Sequence, residues 1–137
     1  MEIKYNEATL NRPEGDRVLD APFVFTDFQN YIRQLKQEDA WQKSDRNSIT
    51  VFKNNQMTVV LICLHQGATI ENNSIDGLLS IQVLEGKIRM EIETEEIEIM
   101  KHQLMTLHQY VNHSMEAAED SVVLLTNYVT SYKKDGL

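Results

Sequence analysis

Hydrophobic and polar positions alternate along most of the chain from residue 48 onward, which is the pattern of β-strands that bury one face. The clearest case is residues 87–93, where Ile88, Met90 and Ile92 alternate with charged side chains. Turn-forming residues such as Gly86 interrupt the pattern at short intervals. About eight strands are predicted, at residues 48–53, 57–65, 78–84, 87–93, 97–99, 104–107, 111–115 and 122–129.

One segment ahead of these strands has the period of a helix. It is predicted over residues 27–39, with Thr26 as its N-cap and Gln29 completing a capping box. Its apolar side chains form a single stripe, which is typical of a helix that packs against a sheet. The stripe consists of Phe28, Tyr31, Ile32 and Leu35.

Many short strands without intervening helices predict an all-β sandwich or barrel and argue against a parallel α/β sheet. Residues 1–25 have no sustained period, and Pro13 and Gly15 make part of this segment turn-rich. The length of 137 residues fits one core. We therefore predict a single structural domain, in which an arm and a helix (residues 1–47) pack on a barrel (residues 48–132).

Composition restricts the class of protein. Apolar residues make up 42% and charged residues 25%, as in ordinary folded proteins. The longest apolar run, residues 59–64, is too short to cross a membrane, and the polar N-terminus does not resemble a signal peptide. Cys63 is the single cysteine, so an internal disulfide is excluded. A cytoplasmic location is expected.

The formal net charge is −8, and residues 57–137 carry most of it, with five Lys or Arg against twelve Asp or Glu. Such a surface repels phosphate groups, so neither nucleic acid nor an anionic membrane is expected as a partner. Five glutamates between residues 91 and 98 alternate with apolar residues or lie at a turn. We interpret them as a solvated face rather than a calcium site.

Residues 67–117 resemble the two motif regions of a small single-domain cupin from an uncharacterised bacterial subgroup. The resemblance is carried by the sequence Val83-Leu84-Glu85-Gly86 at a strand end, the alternating hairpin after it, and a later strand with His113. It implies a double-stranded β-helix, or jelly roll, whose interior often holds a metal. It also implies a homodimer.

The first cupin motif places three metal ligands, His-x-His and a Glu, between two glycines. Aligned on Gly67 and Gly86, the ligand positions fall on Asn73, Ile75 and Leu79. The glycines are retained and the three ligands are replaced.

The second motif contributes the fourth ligand, a histidine, which is retained as His113. Its other positions differ: His102 and Tyr110 stand where the motif has glycine, His108 where it has proline, and Ala117 where it has asparagine. We predict that His102 occupies a turn with positive φ, because histidine is among the few residues enriched there.

A catalytic metal site usually has three protein ligands, and here one of four positions is retained. The resemblance therefore implies a metal-free protein with an apolar pocket for a small molecule, acting as a binding or regulatory module. No cofactor is expected, and a divalent metal is the open alternative. The candidate pocket residues are His113, Asn73, Ile75, Leu79, His65 and Glu71.

Three alternatives stay open for this pocket. In the first, His113 is a polar anchor for the ligand. In the second, the protein is a metal-dependent oxygenase or isomerase with relocated ligands, which requires His65, His113 and a carboxylate such as Glu71 to converge. In the third, the pocket is filled by side chains, His113 is a packed core residue, and the protein is a structural or interaction module.

Overall fold

The computed structural model describes residues 2–73 and 76–129. The N-terminal part contains β1 (Lys4–Asn6), β2 (Arg17–Asp20), α1 (Phe28–Gln37) and α2 (Asp39–Lys43). The strands that follow are β3 (Arg46–Lys53), β4 (Met57–Leu64), β5 (Thr69–Asn73), β6 (Leu78–Glu85), β7 (Lys87–Ile92), β8 (Glu95–Met100), β9 (Leu104–Leu107), β10 (His113–Ala117) and β11 (Ser121–Tyr128).

Strands β3 to β11 form two antiparallel sheets that enclose a common core. One has the order β3-β4-β11-β6-β9 and the other the order β5-β10-β7-β8. Strands β10 and β11 are consecutive in the chain yet belong to different sheets, so the turn between them closes one end of the barrel. The predicted all-β jelly-roll barrel is confirmed.

The interior of the barrel is filled with aliphatic and methionine side chains from both sheets. Strand alternation selects them: in β7, Ile88 and Met90 are fully buried, whereas the intervening Arg89 is partly exposed. The buried members of this core are Ile62, Leu64, Ala68, Leu79, Ile81, Val83, Ile88, Met90, Ile99, Leu107, Met115, Ala117 and Val123.

The two helices cover part of the outer face of the five-stranded sheet, over β3 and β4. Leu35, from the predicted apolar stripe of α1, is fully buried there and belongs to a second core with Ile49, Leu61 and Cys63. Strand β4 is therefore buried on both faces, which explains its continuous apolar sequence.

The helix differs from the prediction at both ends. Asp27, not Thr26, is the N-cap, and its carboxylate accepts a hydrogen bond from the backbone N–H of Asn30 at 3.3 Å. Helix α1 ends at Gln37, its C-cap Glu38 has an extended backbone, and a second short helix, α2, follows. The prediction of one helix over residues 27–39 was wrong in that respect, because five-residue α2 is too short to show a periodic stripe.

Three strands were missed. β1 and β2 pair with each other outside the barrel, and β5 is an edge strand that pairs only with β10 among the described residues. The barrel itself starts at Arg46, two residues before the predicted boundary, and the predicted residues 130–132 lie outside the described range. No helix of the described residues is long and apolar enough to cross a membrane.

Arg12 fastens the N-terminal arm to the helices and the barrel. Its guanidinium donates three hydrogen bonds of 3.0–3.1 Å to the carboxylate of Glu38 and one of 2.7 Å to the carbonyl of Ser48. Asn47 joins them by donating to Glu38 at 3.0 Å and to the Leu35 carbonyl at 2.9 Å. One ion pair thus connects the arm, the end of α1 and the first barrel strand.

Candidate functional site

His113 is the first residue of β10 and faces the barrel interior. The alternation of this strand places His113, Met115 and Ala117 on the buried face, and His113 is 4% exposed. It lies opposite Ile92 of β7 and Asn73 of β5 in the sheet register. The retained motif histidine therefore lies inside the barrel, at the end of its sheet.

One ring nitrogen of His113 is satisfied and the other is not. Nδ1 lies 2.9 Å from the carbonyl oxygen of Val111, which can only accept, so Nδ1 carries the proton that it donates. In the uncharged ring, Nε2 then presents a lone pair. Nε2 is buried and has no hydrogen-bond partner. An unsatisfied buried polar group costs roughly 1–3 kcal/mol, so this atom is a natural contact for a ligand.

A second unpartnered polar atom lies in the wall of the barrel. Asn127 follows the inward-facing Val123 and Leu125 at two-residue spacing on β11, and its Oδ1 is buried without a hydrogen-bond partner. Asn127 lies directly opposite Leu79 in the register of β11 and β6. Leu79 occupies a metal-ligand position of the cupin motif, so Asn127 places a polar group beside that position from the next strand.

His113 and Asn127 lie at the same end of the barrel. The turn from Ala117 to Ser121 marks the opposite end, and the two residues are at the ends of β10 and β11 that lie away from it. Sequence reasoning missed Asn127 because no motif position includes it. The two-residue alternation after Val123 was the signal that could have found it.

The other motif positions lie as follows. Leu79 is 6% exposed and belongs to the barrel core. The backbone of Asn73 pairs with His113, and its side chain lies outside the described structure. Ile75 lies outside the described residues. His102 has a φ of 73°, as predicted, and Tyr110, at the other glycine position, has a φ of 63°.

His65 lies far from His113. Its ring stacks on Trp41 of α2 at a centroid distance of 3.4 Å, and its Nε2 is 2.8 Å from the Trp41 carbonyl oxygen. The adjoining Gly67 hydrogen-bonds to Ala117. Ala117 is four residues from His113, or about 13 Å at a strand rise of about 3.3 Å per residue. The alternative in which His65 approaches His113 is therefore excluded, because the aromatic contact holds His65 outside the barrel.

Glu71 lies on the outer surface beside the site, not inside it. It lines a cleft of about 620 Å³ with Glu91, Glu93, Thr94, Asn112, His113 and Ser114. The three residues proposed as relocated metal ligands are thus not brought together. Among the described residues, no group of three or more His, Cys, Asp or Glu side chains could hold a metal ion.

Two loops meet at the same end of the barrel. Tyr110, which precedes β10, forms a side-chain hydrogen bond with Asp76, which precedes β6. This hydrogen bond and the negative charge of Asp76 raise the pKa of Tyr110. The contact ties together the loops next to His113 and Asn127.

The comparisons with known proteins rest on structure alone. No protein-family model and no curated protein matches the chain. A cupin-2 domain protein from Shewanella frigidimarina superposes with a TM-score of 0.62 at 13% identity, covering 75% of this chain and 93% of that one.

Two further solved structures have a similar fold. A cupin superfamily protein from Desulfitobacterium hafniense gives a TM-score of 0.60 at 11% identity, over 61% of this chain and 77% of that one. A conserved protein of unknown function from Streptococcus pyogenes gives 0.60 at 20% identity, over 64% and 76%. Together with the two facing sheets, these similarities show that the chain has the fold of the cupin superfamily.

Proposed function

We propose that this protein is a metal-free module that binds a small organic molecule at the end of the barrel formed around His113 and Asn127. The observation that carries the proposal is the buried, unpartnered Nε2 of His113. A ligand that pairs with this atom removes a desolvation cost that the free protein otherwise bears.

The surroundings support an organic ligand. Leu79 replaces a metal-ligand residue of the motif with an aliphatic side chain, and the partly buried Ile92 and Val111 pack against the same core. Apolar walls with a few fixed polar atoms are the usual build of a small-molecule site. The metal-dependent alternative would need ligands other than His65, because His65 stacks on Trp41 outside the barrel.

The experiment is a thermal-shift screen of a metabolite library against the wild-type protein and His113→Phe. A ligand at 100 times its Kd adds about 2.7 kcal/mol of stability, which corresponds to a rise in Tm of several degrees. We expect hits that are lost in His113→Phe and kept in His65→Phe, because His65 stacks on Trp41 outside the barrel. A screen without hits, or hits unaffected by His113→Phe, would refute the proposal.

Elemental analysis of protein purified without chelators tests the metal-free part separately. We expect no stoichiometric Fe, Mn, Ni, Zn or Cu. One equivalent of any of these per chain, lost in His113→Phe, would favour a metal centre built around His113 instead.

We also propose that the protein is a homodimer that associates through the outer face of β9, β6 and β11. The helices leave part of this face uncovered, and Leu78, Leu79, Leu107 and Tyr128 line a cleft of about 500 Å³ there, together with four polar residues. Leu78, Leu104 and Tyr128 are 40%, 60% and 41% exposed. β9 is also the edge of its sheet. Exposed apolar surface beside a sheet edge is typical of an interface.

A further inference from the structure

We infer that Tyr110 is a positioning residue of the proposed site: its hydrogen bond with Asp76 keeps the loop before β10 in the conformation that brings the Val111 carbonyl to His113. This inference rests on the proposed function and adds a residue that acts through His113. It depends on the backbone conformation of Tyr110 and on the hydrogen bonds that its side chain and Val111 make.

The backbone of Tyr110 is in the left-handed region, with a φ of 63°. For a bulky residue with a Cβ atom this conformation is strained, and it persists only where the surroundings hold it. The cupin motif has glycine at this position, and glycine adopts a positive φ without that cost. A tyrosine here therefore needs a contact that stabilises the conformation.

The side chain of Tyr110 supplies such a contact. Its hydroxyl donates a hydrogen bond to the carboxylate of Asp76, in the loop before β6. Tyr110 is exposed, so burial of its ring contributes little to holding the backbone. After Val111, the carbonyl of Asn112 accepts a hydrogen bond from the Glu93 N–H at 3.3 Å. The loop is thus fastened on both sides of Val111.

Val111 connects this loop to the site. Its carbonyl oxygen lies 2.9 Å from Nδ1 of His113, and because a carbonyl can only accept, Nδ1 carries a proton in either charge state of the ring. The same bond fixes the orientation of the ring, which leaves the buried Nε2 without a partner among the described residues. A rotation of the backbone at Tyr110 would move this carbonyl and release Nδ1. Tyr110 therefore determines, through Val111, which nitrogen of His113 is open to a ligand.

The experiment measures how fast the Nδ1–H proton of His113 exchanges with water, in free protein labelled with ¹⁵N at the histidine nitrogens and kept at neutral pH. Tyr110→Phe removes the hydroxyl, Tyr110→Ala removes the ring as well, and Tyr110→Gly removes the need for the hydrogen bond. His113→Phe assigns the resonance. The backbone amides of β7, a strand paired on both sides, report any general loss of stability.

We expect Nδ1–H to exchange about tenfold faster in Tyr110→Phe and Tyr110→Ala, a factor that corresponds to the loss of about one hydrogen bond. The β7 amides should show no comparable change. Tyr110→Gly should remain close to the wild type, because glycine adopts a positive φ without the hydrogen bond. Asp76→Asn keeps an oxygen that accepts from the hydroxyl and should also remain close to the wild type.

Tyr5→Phe is the matched control. Tyr5 is also an exposed tyrosine whose side chain hydrogen-bonds to an aspartate, Asp16, but it lies in the N-terminal arm outside the barrel. The substitution removes the same kind of contact at a distant place. It should leave the exchange of His113 Nδ1–H unchanged.

Equal exchange in Tyr110→Phe and the wild type would overturn the inference and show that the packing of Val111 alone places its carbonyl. Exchange in Tyr110→Gly as fast as in Tyr110→Phe would also overturn it, because the effect would then not come from the backbone conformation. Neither result depends on a ligand, so the binding function is still decided by the library screen. If that screen has no hits, the binding function fails, while the expected exchange pattern still supports the positioning of His113 by Tyr110.

Discussion

Each of the four histidines has a different structural role, and only His113 has a buried ring nitrogen without a hydrogen-bond partner. His102 occupies a positive-φ turn, His65 stacks on Trp41, and His108 lines the outer cleft. His113 alone combines burial with a ring nitrogen that lacks a partner. The motif alignment could identify His113, since its position carries a histidine in the family pattern. It could not identify Asn127, because its polar group comes from a strand outside the motif.

Replacing Asn127 by leucine should stabilise the free protein. The substitution removes a buried carbonyl oxygen that has no partner and keeps the branching of the side chain beside Leu79. We expect the free energy of unfolding to rise by about 1 kcal/mol. Urea unfolding measures it, with Asn55→Leu at an exposed residue between β3 and β4 as the control. A loss of stability in Asn127→Leu would show that Oδ1 has a partner in solution.

The thiol of Cys63 should be unreactive in the folded protein. It lies between the sheet and the helices, and burial raises its pKa to about 11, with Lys36 acting weakly in the opposite sense. Since the thiolate is the reactive form, modification by a disulfide reagent at pH 8 should follow unfolding. The labelling rate should rise to that of a free thiol in urea. Rapid labelling without urea would contradict the buried placement.

At the scale of elements, the sequence could predict the helices and strands whose apolar residues have a clear period, and it could not predict those without one. β7 and α1 have regular apolar spacing, so their existence could be predicted. β5 has one aliphatic residue, Ile70, in its sequence, and its extended form depends on pairing with β10. Such a strand is specified by its neighbour, which a local pattern does not contain.

The ion pair of Arg12 with Glu38 should make the docking of the arm depend on pH. Burial alone would raise the pKa of Glu38, but hydrogen bonds from Arg12, Asn47 and Gln34 outweigh it and lower the pKa below its ordinary value. A lowered folded-state pKa means that the stabilisation is complete above the ordinary carboxyl pKa. It is lost as the pH falls through the folded-state value.

Glu38→Gln should therefore reduce the free energy of unfolding by about 1–3 kcal/mol at pH 7. The difference from wild type should shrink as the pH is lowered from about 5 to 3. Urea unfolding at several pH values measures both effects. Asp39→Asn is the matched control, because the Asp39–Lys43 pair is exposed and should contribute little. A difference that does not change with pH would contradict the role given to this carboxylate.

For the whole molecule, the barrel could be predicted from sequence because strand alternation and turn residues act all along the chain. The site could be predicted only in part. The family pattern assigns metal ligands to Asn73, Ile75 and Leu79 as well as to His113. In the described part of the barrel, the side chains with a buried, unpartnered polar atom are those of His113 and Asn127. Where aliphatic residues replace metal ligands, the family pattern still indicates the place of a site and no longer indicates its chemistry.

The proposed dimer is tested by placing charge on the uncovered face. Leu104 is 60% exposed on the edge strand β9, so Leu104→Glu should not disturb the core. In a dimer, this carboxylate would be buried without a partner, which is strongly unfavourable. We expect light scattering to give the mass of two chains for the wild type and one chain for Leu104→Glu. Phe23→Glu, at a still more exposed apolar residue of the N-terminal arm (84% exposed), should remain dimeric. A wild-type monomer at every concentration, or dissociation by Phe23→Glu alone, would rule out this face as the interface.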